Sequence, residues 1–461
     1  MENIFKTLKL WILITFSLIK RNIKVLLLIL VLASITFLLQ TRFEVFYKNN
    51  VIRIGLIGTY QEHDIPAEVT ELLSQPLIKV EEDGHLKANL ITGWDTNNDA
   101  TEFRFKLKPG LVWADGTPIK SSEVSLHIPN TQISFPDDLT IQFNLTESFA
   151  PLPSLLTKPI FKTGTLIGTG PYKLKEVDKS RIFITKMILE PKDNLPEVYI
   201  RFYPNEIVAV TGFNLGEVQV LMGLNNIKIF SNNPKVEVKG VEDFKKIVTI
   251  LYQTKGTVLE NRSLRQALSY IIPKVEGEIE ANNPYPPKHW AKDPDSKKYL
   301  SNKDEAEEAL KRAKSTLSQG QLKSEIILTA TPNLEEVGRT VVDSWKSLGI
   351  DAKLRTESGI PQNFQALLIT QSIPADPDQY SLWHTTQEKT NLSRYASKRT
   401  DKDLEDGRKI IAEEERKVKY LDFQRTLLED APAVFLYFPK YNVVYIKKAK
   451  ENLDKILNID L

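Results

Sequence analysis

Residues 25–39 form an uncharged, mostly apolar run, and Lys20, Arg21 and Lys24 stand directly before it. As a helix this run rises about 22 Å, against roughly 30 Å of hydrocarbon in a bilayer. Adding Ile23 and Gln40, with the Lys24 side chain snorkelling, brings it closer to a span. The earlier apolar run, residues 10–19, is too short to cross alone. It reads as interfacial, with Lys6 and Lys9 before it and Trp11 suited to the headgroup zone. Those five basic residues outnumber Glu2, so the positive-inside rule puts the N-terminus in the cytoplasm and the remainder outside. The pattern predicts a cytoplasmic or interfacial segment 1–24, an N-terminal transmembrane helix at 25–40 and a tether at 41–50. A cleaved signal peptide is the competing reading, but Phe37-Leu38-Leu39-Gln40 lacks the small-x-small cleavage pattern.

Beyond the tether the period changes repeatedly between two and 3.6, which predicts mixed α/β structure. Residues 51–58 read as a strand. Residues 103–108 alternate strictly, Phe-Arg-Phe-Lys-Leu-Lys, with one apolar and one basic face, and Pro109-Gly110 ends the strand. Residues 141–145 alternate as well, and 237–252 contain at least one more strand. Residues 324–354 read as β-α-β. A strand at 325–329 leads to a helix capped by Asn333, with Glu336 three residues on and Val337, Val341, Trp345 and Leu348 on one face. Gly349 stops that helix, and a strand follows at 350–354. Residues 301–317 predict a second amphipathic helix. Residues 401–430 are helical with a break near Glu414, and Pro432 leads into an apolar strand at 433–438.

Charge narrows the function. Residues 1–48 hold seven Lys/Arg and two Asp/Glu, which leaves 54 basic and 57 acidic residues beyond them. A part so nearly balanced, at about −3, has no nucleic-acid footprint. The chain has no cysteine, so disulfides, thiolate chemistry and lipid attachment at an N-terminal cysteine are all excluded. Some 410 residues suffice for a core without disulfides and suggest two or three lobes. The five histidines, His63, His85, His127, His289 and His384, show no metal-ligand spacing. There is no G-x-S-x-G elbow, and no Lys-Ser/Thr follows the glycines at 164–170. Asp376-Pro377-Asp378 reads as a turn rather than a ligand pair. No enzyme, metal or cofactor is expected; a hydrolase would need a nucleophile–base pair that is not visible.

Five segments carry a resemblance. Leu90-Ile91-Thr92-Gly93-Trp94 precedes Trp113-Ala114-Asp115-Gly116-Thr117-Pro118 and Ser121-Ser122-Glu123-Val124. Gly168-Thr169-Gly170-Pro171-Tyr172 follows, then Arg262-Ser263-Leu264-Arg265-Gln266-Ala267-Leu268-Ser269-Tyr270. Ser347-Leu348-Gly349-Ile350 is the fourth. Asp376-Pro377-Asp378-Gln379-Tyr380-Ser381-Leu382-Trp383-His384, followed by the 423–437 stretch, is the fifth. In this order they resemble the extracellular solute-binding proteins of family 5, the oligopeptide- and dipeptide-binding type that serves ABC importers. Most of these residues read as structural: the turn at Asp115-Gly116, the tight backbone at Gly168 and Gly170, Arg265 pairing inside its own lobe, and Trp94 and Trp113 in core or lobe surface.

The resemblance implies a periplasmic-binding-protein-like type II α/β fold, with two lobes on a hinge and a small extra domain. Lobe I would comprise 51–74, 159–246 and 437–461, the accessory domain 75–158, and lobe II 247–436. The hinge would lie near 247–253 and 433–438. The implied function is a membrane-anchored, monomeric solute-binding protein that captures peptides or similar small solutes between its lobes and delivers them to an ABC permease. It would be single-pass, with its soluble part extracellular or periplasmic. A cell-surface sensor or adhesion module on the same fold is the alternative. Candidate ligand-binding residues are Thr59 and Tyr60 after the first strand, and Asp376, Asp378, Tyr380, Trp383 and His384. Tyr and Trp offer apolar faces with one polar handle. Three departures stand out: shortened stretches after Val124 and Ile272, and Ser372-Ile373-Pro374-Ala375 where the family's peptide binders carry an amine-capturing aspartate.

Overall fold

The computed structural model describes residues 50–299 and 301–457, together with Ser34 and Thr36. The run at 25–39 otherwise lies outside the described residues, as do segment 1–24 and nearly all of the tether. Among the described residues no helix is long and apolar enough to cross a membrane.

Three sheets and a ribbon organise the chain. The largest has seven strands in the order β12 (Val236–Glu242), β19 (Lys440–Ile446), β11 (Val220–Met222), β1 (Val51–Ile57), β10 (Glu197–Tyr203), β9 (Phe183–Pro191) and β8 (Tyr172–Ser180). β1 runs parallel to both β10 and β11, and the remaining pairs are antiparallel. Ile52, Ile54, Met187, Val198 and Val220 are buried on this sheet. A central strand flanked by parallel neighbours is buried on both sides, which explains why residues 51–57 show only partial alternation.

The second sheet has six strands: β14 (Ile279–Glu280), β18 (Ala433–Phe438), β13 (Lys246–Tyr252), β17 (Ala366–Ser372), β15 (Ile326–Ala330) and β16 (Ala352–Thr356). Both faces are covered. Ile250 and Leu328 pack with Leu264, Leu310 and Trp345 from helices Arg262–Tyr270, Lys303–Lys314 and Glu335–Ser347. Leu251 and Phe435 pack with Leu404, Phe423 and Leu427 from helices Lys398–Gly407 and Glu413–Asp430. Burial of alternate residues on opposite faces accounts for the continuous apolar run at 433–438.

A four-stranded sheet is built from β4 (Ile91–Thr96), β5 (Glu102–Leu107), β7 (Thr140–Leu145) and β6 (Thr131–Asp137), beside the ribbon of β2 (Ile78–Val80) and β3 (Leu86–Ala88). The alternation at 103–108 appears as written: Phe103, Phe105 and Leu107 are buried, and Arg104, Lys106 and Lys108 face out. This sheet is tied to the large one through Gly168 and Gly170. A β-carbon on Gly168 would lie 2.3 Å from the Leu73 carbonyl, and one on Gly170 would lie 2.5 Å from that of Leu72. Backbone meets backbone there, so only glycine fits.

One local detail departs from expectation. The helix after β15 begins at Glu335, not at Asn333. Pro332–Leu334 forms a 3-10 turn first, so Asn333 lies inside that turn and caps nothing. The stretch 237–252, expected to hold at least one strand, holds two, β12 and β13. At its other end, helix Glu335–Ser347 closes as a Schellman motif. Gly349 N–H donates to Lys346 O (2.9 Å) and Ile350 N–H to Trp345 O (3.2 Å), with Gly349 at φ +80°. Arg265 is buried and donates to the carbonyls of Ala431 (2.9 Å), Leu259 (2.7 Å) and Glu260 (2.9 Å), all within the six-stranded half.

The chain passes between the two large sheets at two points. It leaves the seven-stranded sheet through residues 243–245, between β12 and β13, and returns at Pro439, between β18 and β19. The crossings lie side by side: Asp243 N–H donates to Pro439 O (2.8 Å), and the Phe244 and Phe438 rings meet edge-on at 5.4 Å.

Candidate functional site

β17 ends at Ser372, and the D-P-D step follows as two linked turns. Asp376 accepts from Asp378 N–H (2.9 Å), and Asp378 accepts from Tyr380 N–H (3.0 Å), leading into the short helix Tyr380–Trp383. Neither carboxylate is free. Asp376 is buried in a bidentate pair with Arg416, at 2.6 and 3.0 Å. The same guanidinium donates to Tyr420 OH (2.9 Å) and Gly407 O (3.0 Å). Asp378 lies 3.0 Å from Arg408. Burial nevertheless dominates and pushes the Asp378 carboxyl up to about 6, with Arg408 pulling the other way.

Arg408 is layered between two rings, 4.8 Å from the Phe149 centroid and 4.2 Å from that of Tyr380. Tyr380 stacks on His384 at 4.0 Å. The His384 ring nitrogens lie 2.8 Å from Thr386 Oγ1 and 3.2 Å from Glu405 Oε1. Trp383 turns inward: it is 2 % exposed, donates from Nε1 to Gln379 Oε1 (2.8 Å) and packs edge-on against Phe435. In this arrangement Trp383 offers no face to a ligand.

Thr59 and Tyr60 sit at the end of β1. Thr59 is exposed. Tyr60 is half-buried, its hydroxyl donates to Ile57 O (3.0 Å), and its ring tilts against Phe202 at 5.3 Å. The structure thus gathers Asp376, Asp378, Tyr380, Trp383 and His384 on one segment. Among the described residues no hydrogen bond, ion pair or ring contact links them to Thr59 or Tyr60. The two large halves meet directly at Lys228 Nζ and Glu336 Oε1, 3.2 Å apart and both strongly exposed.

The segment around Asp376 also borders the four-stranded sheet. A cavity of about 190 Å³ lies between them, lined by His85, Trp94 and Phe103 on one side and Trp290, Asp376 and Arg416 on the other. Its rim is knit together by Lys288–Glu82 (2.7 Å), His85–Glu413 (3.0 Å), Trp290 N–H to Asp83 O (2.8 Å) and Ala150 N–H to Arg408 O (2.7 Å). Asp83 and Glu413 raise the His85 imidazole, whereas burial holds His289 down at about 4, so its ring is neutral near pH 7. Gly84, at φ +82°, lets the backbone approach that ring; a β-carbon there would lie 2.4 Å from it. The partners Arg408, Arg416, Phe149 and Trp290 went unnoticed in the sequence. Each lies far along the chain from the D-P-D step and sits in no motif. Among the described residues no cluster of His, Asp or Glu gathers as a metal site.

Residues 85–392 match the family described as bacterial extracellular solute-binding proteins, family 5 (Middle). The chain is 24% identical over 462 residues to the oligopeptide-binding protein AppA of Bacillus subtilis (strain 168), covering 82% of this chain and 83% of that protein. It is 23% identical over 460 residues to the probable D,D-dipeptide-binding periplasmic protein DdpA of Escherichia coli (strain K12), covering 84% and 87%. Among solved structures, it superposes on the ABC transporter substrate-binding protein CtaP of Listeria monocytogenes with a TM-score of 0.71 at 19% identity, covering 86% of this chain and 94% of that one. The same shares are covered for B. subtilis AppA in complex with a nonapeptide, with a TM-score of 0.64 at 19% identity.

Proposed function

Because the chain belongs to the family 5 bacterial extracellular solute-binding proteins, we propose that it captures peptides or similar small solutes between two lobes and passes them to an ABC permease. The observation that carries this reading is the pair of adjacent crossings at 243–245 and Pro439. Two separately cored bodies joined by two neighbouring strands can rotate about one axis and close on a ligand. In this reading lobe I comprises 51–74, 159–245 and 439–461, the accessory domain 75–158, and lobe II 246–438, which keeps β13 and β18 whole. The relatives' names, oligopeptide- and dipeptide-binding, support the solute class.

Capture differs from a carboxylate-on-amine scheme. Arg416 and Arg408 neutralise Asp376 and Asp378, so neither holds a ligand's ammonium. Recognition rests on Thr59 and Tyr60 from one lobe and the exposed part of Tyr380 from the other. Native mass spectrometry of the purified full chain should reveal a carried solute of peptide size. Once that solute is removed, adding it back should lower the radius of gyration in small-angle scattering and leave the circular dichroism unchanged. An unchanged radius would favour a rigid surface module over a transport component.

The same proposal ties the chain to the membrane through residues 25–40, on the apolar run and the basic residues before it. Membranes washed with carbonate should retain the protein, and added protease should reach residues after Asn50 from outside. N-terminal sequencing that begins near Thr41 would overturn the anchor.

A further inference from the structure

The domain built on the four-stranded sheet, residues 75–158, is fastened to lobe I. The chain joins the two at both ends of that range, and main-chain bonds stitch the seam. Ala114 N–H donates to Gly168 O (2.8 Å), Ser125 N–H to Phe161 O (2.8 Å), Ile160 N–H to Gln75 O (3.0 Å) and Thr163 N–H to Glu123 O (2.8 Å). With the close backbone approach at Gly168 and Gly170, these bonds make the domain and lobe I one body.

No chain link joins this domain to lobe II, yet it grips lobe II at two places. At the first, the turn between β2 and β3 meets residues 288–290. Trp290 N–H donates to Asp83 O (2.8 Å), Lys288 pairs with Glu82 (2.7 Å), and the His85 ring lies 3.0 Å from Glu413. At the second, Ala150 N–H donates to Arg408 O (2.7 Å), a carbonyl just past helix Lys398–Gly407, of the kind a helix end leaves without an internal donor. The Phe149 ring covers one face of the Arg408 guanidinium, and Tyr380 covers the other.

Away from the crossings the lobes themselves meet at Lys228 and Glu336, whose side chains are 79% and 86% exposed, and such a pair contributes little. The polar ties that hold lobe II against lobe I therefore run mainly through the accessory domain. Two main-chain bonds at separate points fix lobe II in orientation as well as distance. Rotation about 243–245 and Pro439 carries lobe II away from lobe I and from residues 75–158 together, and breaks both sets of contacts. Contacts made in one state and lost in the other are what bias a two-state equilibrium.

We propose, resting on the hinged reading above, that the accessory domain is a clasp. Through the turn at Asp83 and through Phe149-Ala150 it holds lobe II closed on lobe I, and so sets how much of the protein stands open before a solute arrives. The chain has no cysteine, so spin labels can be confined to Lys228→Cys and Glu336→Cys, exposed positions outside the clasp. Pulsed dipolar spectroscopy on the full chain, stripped of carried solute, then reads the gap between the lobes. Glu82→Gln, His85→Gln and Phe149→Leu together should raise the ratio of separated to close label pairs about fivefold or more. Phe149→Leu keeps an apolar side chain against the core of the four-stranded sheet, so the melting temperature should stay in place. In a chain without labels, Glu82→Cys joined to Lys288→Cys by a short bismaleimide should keep its radius of gyration when the carried solute is stripped off, whereas the unbridged chain should expand. Label separations that ignore the triple variant at an unchanged melting temperature would overturn the clasp. If the triple variant melts early, the bridged chain decides: one that expands like the unbridged chain overturns the clasp and leaves the hinge standing. An unbridged chain that does not expand removes the hinge, and the clasp with it.

Discussion

Arg416→Leu should lower the unfolding free energy by about 3–5 kcal/mol, read as a drop in the urea midpoint at unchanged slope. The guanidinium is buried and joins Asp376, Tyr420 and Gly407, three points that belong to different segments. Without it the Asp376 carboxylate, itself 6 % exposed, is left charged and unpaired in the interior. That desolvation, more than the lost pair, sets the size of the effect. Adding Asp376→Asn to the first variant removes the stranded charge and should restore a large part of the loss. A double variant no more stable than Arg416→Leu alone would refute the pairing account and reopen Asp376 as a group available to ligands.

Trp383→Ala should cost about 3–5 kcal/mol of stability, the range for emptying a large buried aromatic site. The indole is enclosed by the Phe435 ring and held by Gln379, and it lies in the core with Leu251 and Leu404. The competing expectation treats Trp383 as a ligand wall. It requires weaker binding with an intact fold. Thermal unfolding of the variant without added ligand separates the two: a large fall in melting temperature places the residue in the core, and an unchanged value places it in the binding surface.

The strands and caps were legible where a local rule acts alone. Residues 103–107 alternate because one face of β5 meets a core and the other meets water. Gly349 ends its helix because the Schellman turn needs a left-handed residue there. The break between helices Lys398–Gly407 and Glu413–Asp430 lies within a few residues of Glu414, where it was expected. What escaped notice depends on distant partners. Asp376-Pro377-Asp378 read correctly as a turn, yet nothing near it announces Arg416, forty positions on, or Arg408. Trp383 occupies a four-residue helix, too short for periodicity to show which side is buried. Phe149 and Trp290 acquire their roles only because the four-stranded sheet lies against the six-stranded half.

The place of β19 in the large sheet has a consequence for how the chain assembles. Residues 440–446 lie between β11 and β12, inside a sheet whose first strand is residues 51–57. Until those last residues have left the ribosome, β12 has no neighbour and β11 lacks its second one. The six-stranded sheet is drawn wholly from 246–438, one continuous stretch, and needs nothing from outside it. Closing the seven-stranded sheet therefore waits on contacts that reach back roughly 200 positions, from 440–446 to 220–222 and 236–242, which makes it the slow step. Until residues 440–446 are made, β12 stays unpaired and one edge of β11 stays open to chaperones, while β1, β8, β9 and β10 can already pair with one another.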